Sequence, residues 1–130
     1  MAVTHSTAAR NAATDAVTAL IGASGKLVFR ISPSTVASPG TAVATLSFSA
    51  TAFAASSSGT ATANAITSDT NATGNASPVA FATMQTSGGT IVVQCSVAAS
   101  GSDINMTNGL TVAAGDTVSC SSLTYTALSA

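Results

Sequence analysis

The sequence has no tryptophan and no glutamate, one tyrosine and one histidine, and only three basic and four acidic side chains in 130 residues. Each shortage removes a class of function. Nucleic-acid binding needs clustered Lys and Arg to neutralise phosphates. Arg10, Lys26 and Arg30 at a net charge of −1 form no such cluster, so no nucleic-acid partner is expected. Nor is there a charge to hold anionic lipid, and no apolar run approaches the ~18–20 residues of a membrane span. No membrane partner is expected. His5, the sole histidine, has no partner cluster from which a metal site or a set of nucleophile, base and orienter could be built. The expectation is a protein that is not an enzyme and has no cofactor and no metal.

The remaining polar motifs read the same way. Asp15, Asp69, Asp103 and Asp116 are scattered at turns and lack the dense carboxylate spacing of a calcium loop. They are expected to cap turns. Gly22-Ala-Ser-Gly25 and Gly88-Gly89 lack the spacing of a phosphate loop. Asn71, Asn75 and Asn105 stand in glycosylation sequons. The first residues have neither the basic start nor the apolar run of a signal peptide, so synthesis in the cytoplasm is expected and the sequons read as coincidence.

What is present is Thr, Ser and Ala, with 46% hydrophobic residues. The length suits one domain with a real core. Charged residues are 5%, against about 25% in ordinary globular chains. Such a surface suits persistent packing against neighbours, because little repulsion keeps copies apart.

The densest β-branched run is residues 90–97, Thr-Ile-Val-Val-Gln-Cys-Ser-Val. Ile91, Val93, Cys95 and Val97 alternate with Val92, Gln94 and Ser96, which predicts a strand with one buried face. This strand is expected to be the one that the others pair with or pack on. Before it, residues 6–21 predict a helix. Its narrow apolar face is formed by Ala9, Ala12, Ala13, Ala16, Val17, Leu20 and Ile21, while Arg10, Asn11, Thr14, Asp15 and Thr18 take the opposite face. Thr4 or Ser6 can cap its start, and Gly22 can end it in a left-handed conformation. A helix with so thin a face needs a surface to lie on, in its own domain or in a neighbouring subunit. Ala9, Ala13, Ala16, Val17, Leu20 and Ile21 are therefore the candidate assembly helix.

Residues 26–32 alternate with Leu27, Phe29 and Ile31 inward and Lys26 and Arg30 outward. Residues 41–49 place Ala42, Ala44, Leu46 and Phe48 inward. Thinner strands are expected at 60–66 and 78–84, the latter forming a hairpin with 90–97 through Ser87-Gly88-Gly89. A short edge strand is expected at Ile104 and Met106, and Leu110 and Val112 follow it. The closing strand, 117–126, changes phase between Cys120 and Leu123, which a bulge at Ser121-Ser122 would restore. Short strands separated by Gly/Ser turns predict an all-β fold, an antiparallel β-sandwich or jelly-roll with one short N-terminal α-helix. The expected division is a helical arm, residues 1–22, and a β-sandwich domain, residues 23–130.

Cys95 and Cys120 occupy inward-facing strand positions. They are either two buried thiols acting as small hydrophobes, as cytosolic synthesis favours, or a disulfide closing a loop of about 25 residues and contributing roughly 3 kcal/mol.

Three stretches carry a family resemblance. They are the start, Met-Ala-Val-Thr-His-Ser-Thr-Ala-Ala-Arg-Asn-Ala with Ile21-Gly-Ala-Ser-Gly-Lys-Leu-Val-Phe-Arg; the segment from Gly59 to Thr70; and the end, from Ser100 to Met106 and from Ala114 to Thr124. Together the chain resembles a family of small structural proteins of tailed-bacteriophage virions. The resemblance implies a non-enzymatic building block, of the capsid decoration or cement type, on the capsid exterior. Its implied partners are the major capsid protein and its own copies, as a homotrimer, bracing capsomer junctions. A tail-, neck- or fibre-associated virion protein is the alternative. A pilin- or adhesin-like subunit is disfavoured by the missing signal peptide. An ice- or carbohydrate-binding module is disfavoured by irregular Thr spacing and few aromatics.

Overall fold

Leu27 and Phe29 alternate with Lys26 and Arg30 in β1 (Lys26–Ile31), and Ala82 and Met84 alternate with Thr83 and Gln85 in β4 (Val79–Gln85). These two strands lie side by side at the centre of the main sheet. The structure is a computed structural model and describes residues 3–130; Met1 and Ala2, the start of the expected arm, lie outside the described residues. The remaining elements are α1 (Thr7–Ala19), β2 (Ala42–Ser47), β3 (Thr60–Thr62), β5 (Ile91–Ala98), β6 (Ile104–Asn105) and β7 (Thr124–Thr126). The protein is mostly β with one short helix, as the sequence predicts in outline.

The main sheet has five strands in the order β2-β1-β4-β5-β6. All its pairs are antiparallel except β5 with β6, where Val97 lies beside Ile104 in parallel. β3 and β7 form a separate two-stranded sheet. The β4–β5 hairpin turns at residues 86–90 as expected, with Thr86 and Thr90 bonded across it. The core-facing side of the main sheet carries Leu27, Phe29, Ala44, Leu46, Ala82 and Met84, all buried. Phe48, Phe53, Ala61, Val112, Val118 and Leu123 close over this side from the other segments.

Several expectations are corrected. The run 90–97 is not the strand that the others surround. β5 stands fourth of the five strands, and only Val97 within it is buried. Strict alternation also fails at three register slips. The β1–β4 ladder skips Ala80 between Arg30 and Ile31, so Val79 is buried in the core while Phe81 lies opposite Arg30 on the other side. The β1–β2 register slips opposite Arg30, so Val43 and Ala44 are both buried, although Val43 was expected outward. The β4–β5 register slips so that Met84 faces Val93 and Gln85 faces Ile91. Val92 and Val93 then both pack on the core, and Ile91 moves off the apolar face. A bulge inserts one residue and reverses the alternation beyond it.

The strand expected at 60–66 is only three residues long, and that at 117–126 is reduced to β7. Val118 keeps one bridge, to Asp69, and the phase change before Leu123 occurs in irregular chain rather than in a ladder. Leu110 and Val112 form no strand; their carbonyls accept from Val79 and Asn75.

Candidate assembly surfaces

Ser6 caps α1, its hydroxyl accepting the Ala9 N–H at 3.1 Å, and Gly22 follows the helix at φ +69°, both as expected. The face by which the helix docks is the opposite of the expected one. Thr14 is its one buried residue, 0% exposed. The Thr14 hydroxyl donates to the Gly59 carbonyl at 2.6 Å and accepts the Ala127 N–H at 3.1 Å. Asn11 Oδ1 accepts the Gly59 N–H at 2.7 Å, and Asp15 Oδ1 accepts the Ser56 N–H at 2.9 Å. The turn at 56–59, with Gly59 at φ +82°, turns backbone groups toward the helix. Buried backbone groups must find partners, and Asn, Thr and Asp supply them where Ala cannot.

This docking divides the candidate assembly residues. Ile21 enters the core at 1% exposed. Ala13 and Val17 are half-buried. Ala9, Ala16 and Leu20 are exposed, with Leu20 at 65%. Ala12 and Ala19 are exposed with them, and residues three and four apart line one helix face. The result is a stripe of small apolar side chains held outward on a firmly seated helix.

The side of the main sheet away from the core is mixed and partly covered, with Val28 and Phe81 beside Arg30, Thr83 and Gln85. Arg30 donates to Thr83 Oγ1 at 3.1 Å, to the Gly40 carbonyl at 2.8 Å and to Gln85 Oε1 at 3.0 Å. Ser34 donates to Gln94 Oε1 at 2.8 Å, and Gln94 returns a bond to the Ser34 carbonyl at 3.0 Å. The loop 32–41 is thereby clamped over β1, β4 and β5. Thr83 is fully buried beneath it. Burial lowers the Arg30 pKa. The sequence marks Arg30 only as an outward charge; its clamping role depends on register with β4, which no local pattern shows.

The aspartates act on backbone. Asp69 accepts from Thr45 and Asn71 N–H, Asp103 from Ser96 N–H, and Asp116 from Ala113 N–H. The bonds to Asn71 and Ala113 are local, as the turn-capping reading expects; those to Thr45 and Ser96 tie separate segments, and Asp15 lies in mid-helix rather than at a turn. His5 bonds the terminal carbonyl of Ala130 at 2.6 Å. No group of three or more His, Cys, Asp or Glu that could hold a metal occurs among the described residues.

Cys95 and Cys120 are free thiols, each half-buried. Burial first, and Asp103 second, push the Cys95 thiol up to about 11. Burial also raises Cys120, opposed by a bond to the Ser122 carbonyl. Both are protonated at neutral pH, and protonated thiols are poor nucleophiles. Cys120 borders an open polar cleft of about 580 Å³ between the 103–109 segment and the 116–124 segment. Asp103, Asn105 and Asp116 line it, with Phe29 and Val112 behind them.

Among the described residues no helix is long and apolar enough to cross a membrane. No protein-family model, curated protein or solved structure matches the chain.

Proposed function

We propose that this chain is a non-enzymatic structural protein of a tailed-phage particle, a decoration or cement protein that seats on the outer capsid lattice and braces capsomer junctions. Its partners on this reading are the major capsid protein and its own copies in the same layer. The observation that carries it is the seating of α1. A polar face locks the helix to the body through Asn11, Thr14 and Asp15. A stripe of Ala9, Ala12, Ala16 and Leu20 is left facing outward. A rigid ridge of small side chains allows close approach of another protein at little cost in side-chain entropy.

The composition supports the reading. A surface with almost no charge packs against copies and capsid without repulsion, and many weak contacts on one lattice gain by avidity. The resemblance to small virion proteins points the same way. On this reading β3, β7 and the long connecting segments form a second layer over the main sheet, making a sandwich. It fits a small body that must resist proteolysis outside a cell.

Cryo-electron microscopy of the particle tests the assignment. Density for this chain at repeated capsid positions, with α1 against the lattice, is the expected result. Density only at the tail, neck or fibres replaces the capsid assignment with a tail-associated one. Absence from the particle overturns the virion reading.

A further inference from the structure

The two edges of the main sheet are treated differently. At the β2 edge, Ser47 exchanges backbone bonds with Thr67, Thr45 N–H is taken by Asp69, and the Val43 carbonyl accepts from Gly74. That edge is covered along its length. On the other side, β6 pairs only with the end of β5, at Val97 and Ala98, and Asp103 takes the Ser96 N–H. Residues 91–95 have no backbone partner beyond β4 among the described residues.

Backbone groups in a strand point alternately to its two sides. The Ser96 N–H and the Ala98 carbonyl both point away from β4, to Asp103 and Met106. The N–H and C=O of Gln94 therefore point the same way and have no backbone partner among the described residues. An open edge normally carries a device against pairing, such as Lys, Pro or a cover. Residues 91–95, Ile-Val-Val-Gln-Cys, hold no charge and no proline, and all five are half-buried rather than buried.

We propose that this edge pairs with the same edge of a second copy, antiparallel about a two-fold axis close to Val93 and Gln94, joining two five-stranded sheets into one. A second copy is the favoured occupant because the edge is self-complementary. Identical uncharged strands meet without repulsion, a two-fold contact closes on itself, and paired residues share a face, so the half-exposed Val93 and Cys95 of each copy extend one apolar strip. The edge is short, well below the ~800 Å² per partner of a standard interface, so the dimer is concentration-dependent. The inference stands apart from the capsid assignment. A trimer would have to use another surface, since a two-fold edge contact is complete with two copies.

Sedimentation of the full chain across a wide concentration range is the test. The expected result is a reversible rise from 12.4 kDa toward twice that mass. Val93→Lys should stay monomeric, and mixing it with Val93→Glu should restore a dimer. Circular dichroism checks that both variants fold. Hydrogen exchange on the unaltered protein needs no variant: the Gln94 amide should be open in dilute solution and protected in concentrated solution. A wild-type chain that stays monomeric with an open Gln94 amide overturns the proposal, as does an oligomer that survives Val93→Lys.

Discussion

Replacing Thr14 with valine keeps its shape and removes both of its hydrogen bonds, leaving the Gly59 carbonyl and the Ala127 N–H without this partner. An orphaned buried group costs about 1–3 kcal/mol, so the urea midpoint should fall clearly. Thr18→Val, at a half-buried site with one long bond to the Asp15 carbonyl, should change it little. Equal effects of the two changes would show that Thr14 is not what seats the helix. The cysteines give a pH prediction. The folded pKa of Cys95 is raised from 9.0 to about 11. The folded state thus holds the proton more tightly than the unfolded one. The associated stability is fully present below about pH 9 and is lost as pH rises toward 11; Cys120 is shifted in the same direction. Wild type should therefore lose more stability than Cys95→Ala between pH 8.5 and pH 10.5 in matched urea titrations. Parallel curves would refute the burial assigned to this thiol.

Among the elements, those with large inward side chains were legible. Leu27 with Phe29 and Leu46 with Phe48 make the period of two visible, and β1, β2, β4 and β5 fall where alternation predicts. The bulges opposite Arg30 and at Val92 were not legible, because Val43 and Val92 are as suitable inside as outside. β3 is short because Thr/Ala alternation carries little burial energy to hold a ladder, and β7 because the apolar phase changes before Leu123. The helix was located correctly and its docking face was not, for a reason of magnitude. Burying an alanine methyl gains roughly 0.8 kcal/mol. Leaving one backbone group of the 56–59 turn unpaired costs about 1–3 kcal/mol. Pairing by Asn11, Thr14 and Asp15 therefore outweighs the apolar stripe. The helix is thus part of the body rather than a separable arm. Ile21 belongs to the core and Thr14 ties both β3 and β7 ends, so removing residues 1–21 should lower stability substantially, with loss of cooperative melting by circular dichroism. Ala12→Lys and Ala16→Lys, on the exposed stripe, should leave melting within about 0.5 kcal/mol of wild type and, on the proposed capsid reading, weaken attachment to the particle. Full attachment of the double variant would remove α1 from the contact.

At the scale of the whole molecule, the scarcity of charge makes a prediction about how the protein is held. All four aspartates are engaged with backbone N–H groups, and two of the three cations, Lys26 and Arg30, bond neutral oxygens on the outer side of the sheet. Little charge is left to face a partner. Between about 0.1 M and about 1 M salt the Debye length shrinks from ~10 Å to ~3 Å, which weakens contacts made by exposed charges. Contacts made by Ala9, Ala12, Ala16 and Leu20 against an apolar or neutral surface have no such term, and strongly hydrated salts such as sulfate strengthen them. On the proposed capsid reading, copies bound to purified particles should therefore stay bound across that range, as counted by gel densitometry after sedimentation of the particles. Mild denaturant should release them before salt does, because urea weakens apolar burial directly. Progressive release with rising sodium chloride would mean that the seven charged side chains carry the attachment after all, and that the neutral surface serves only solubility and folding.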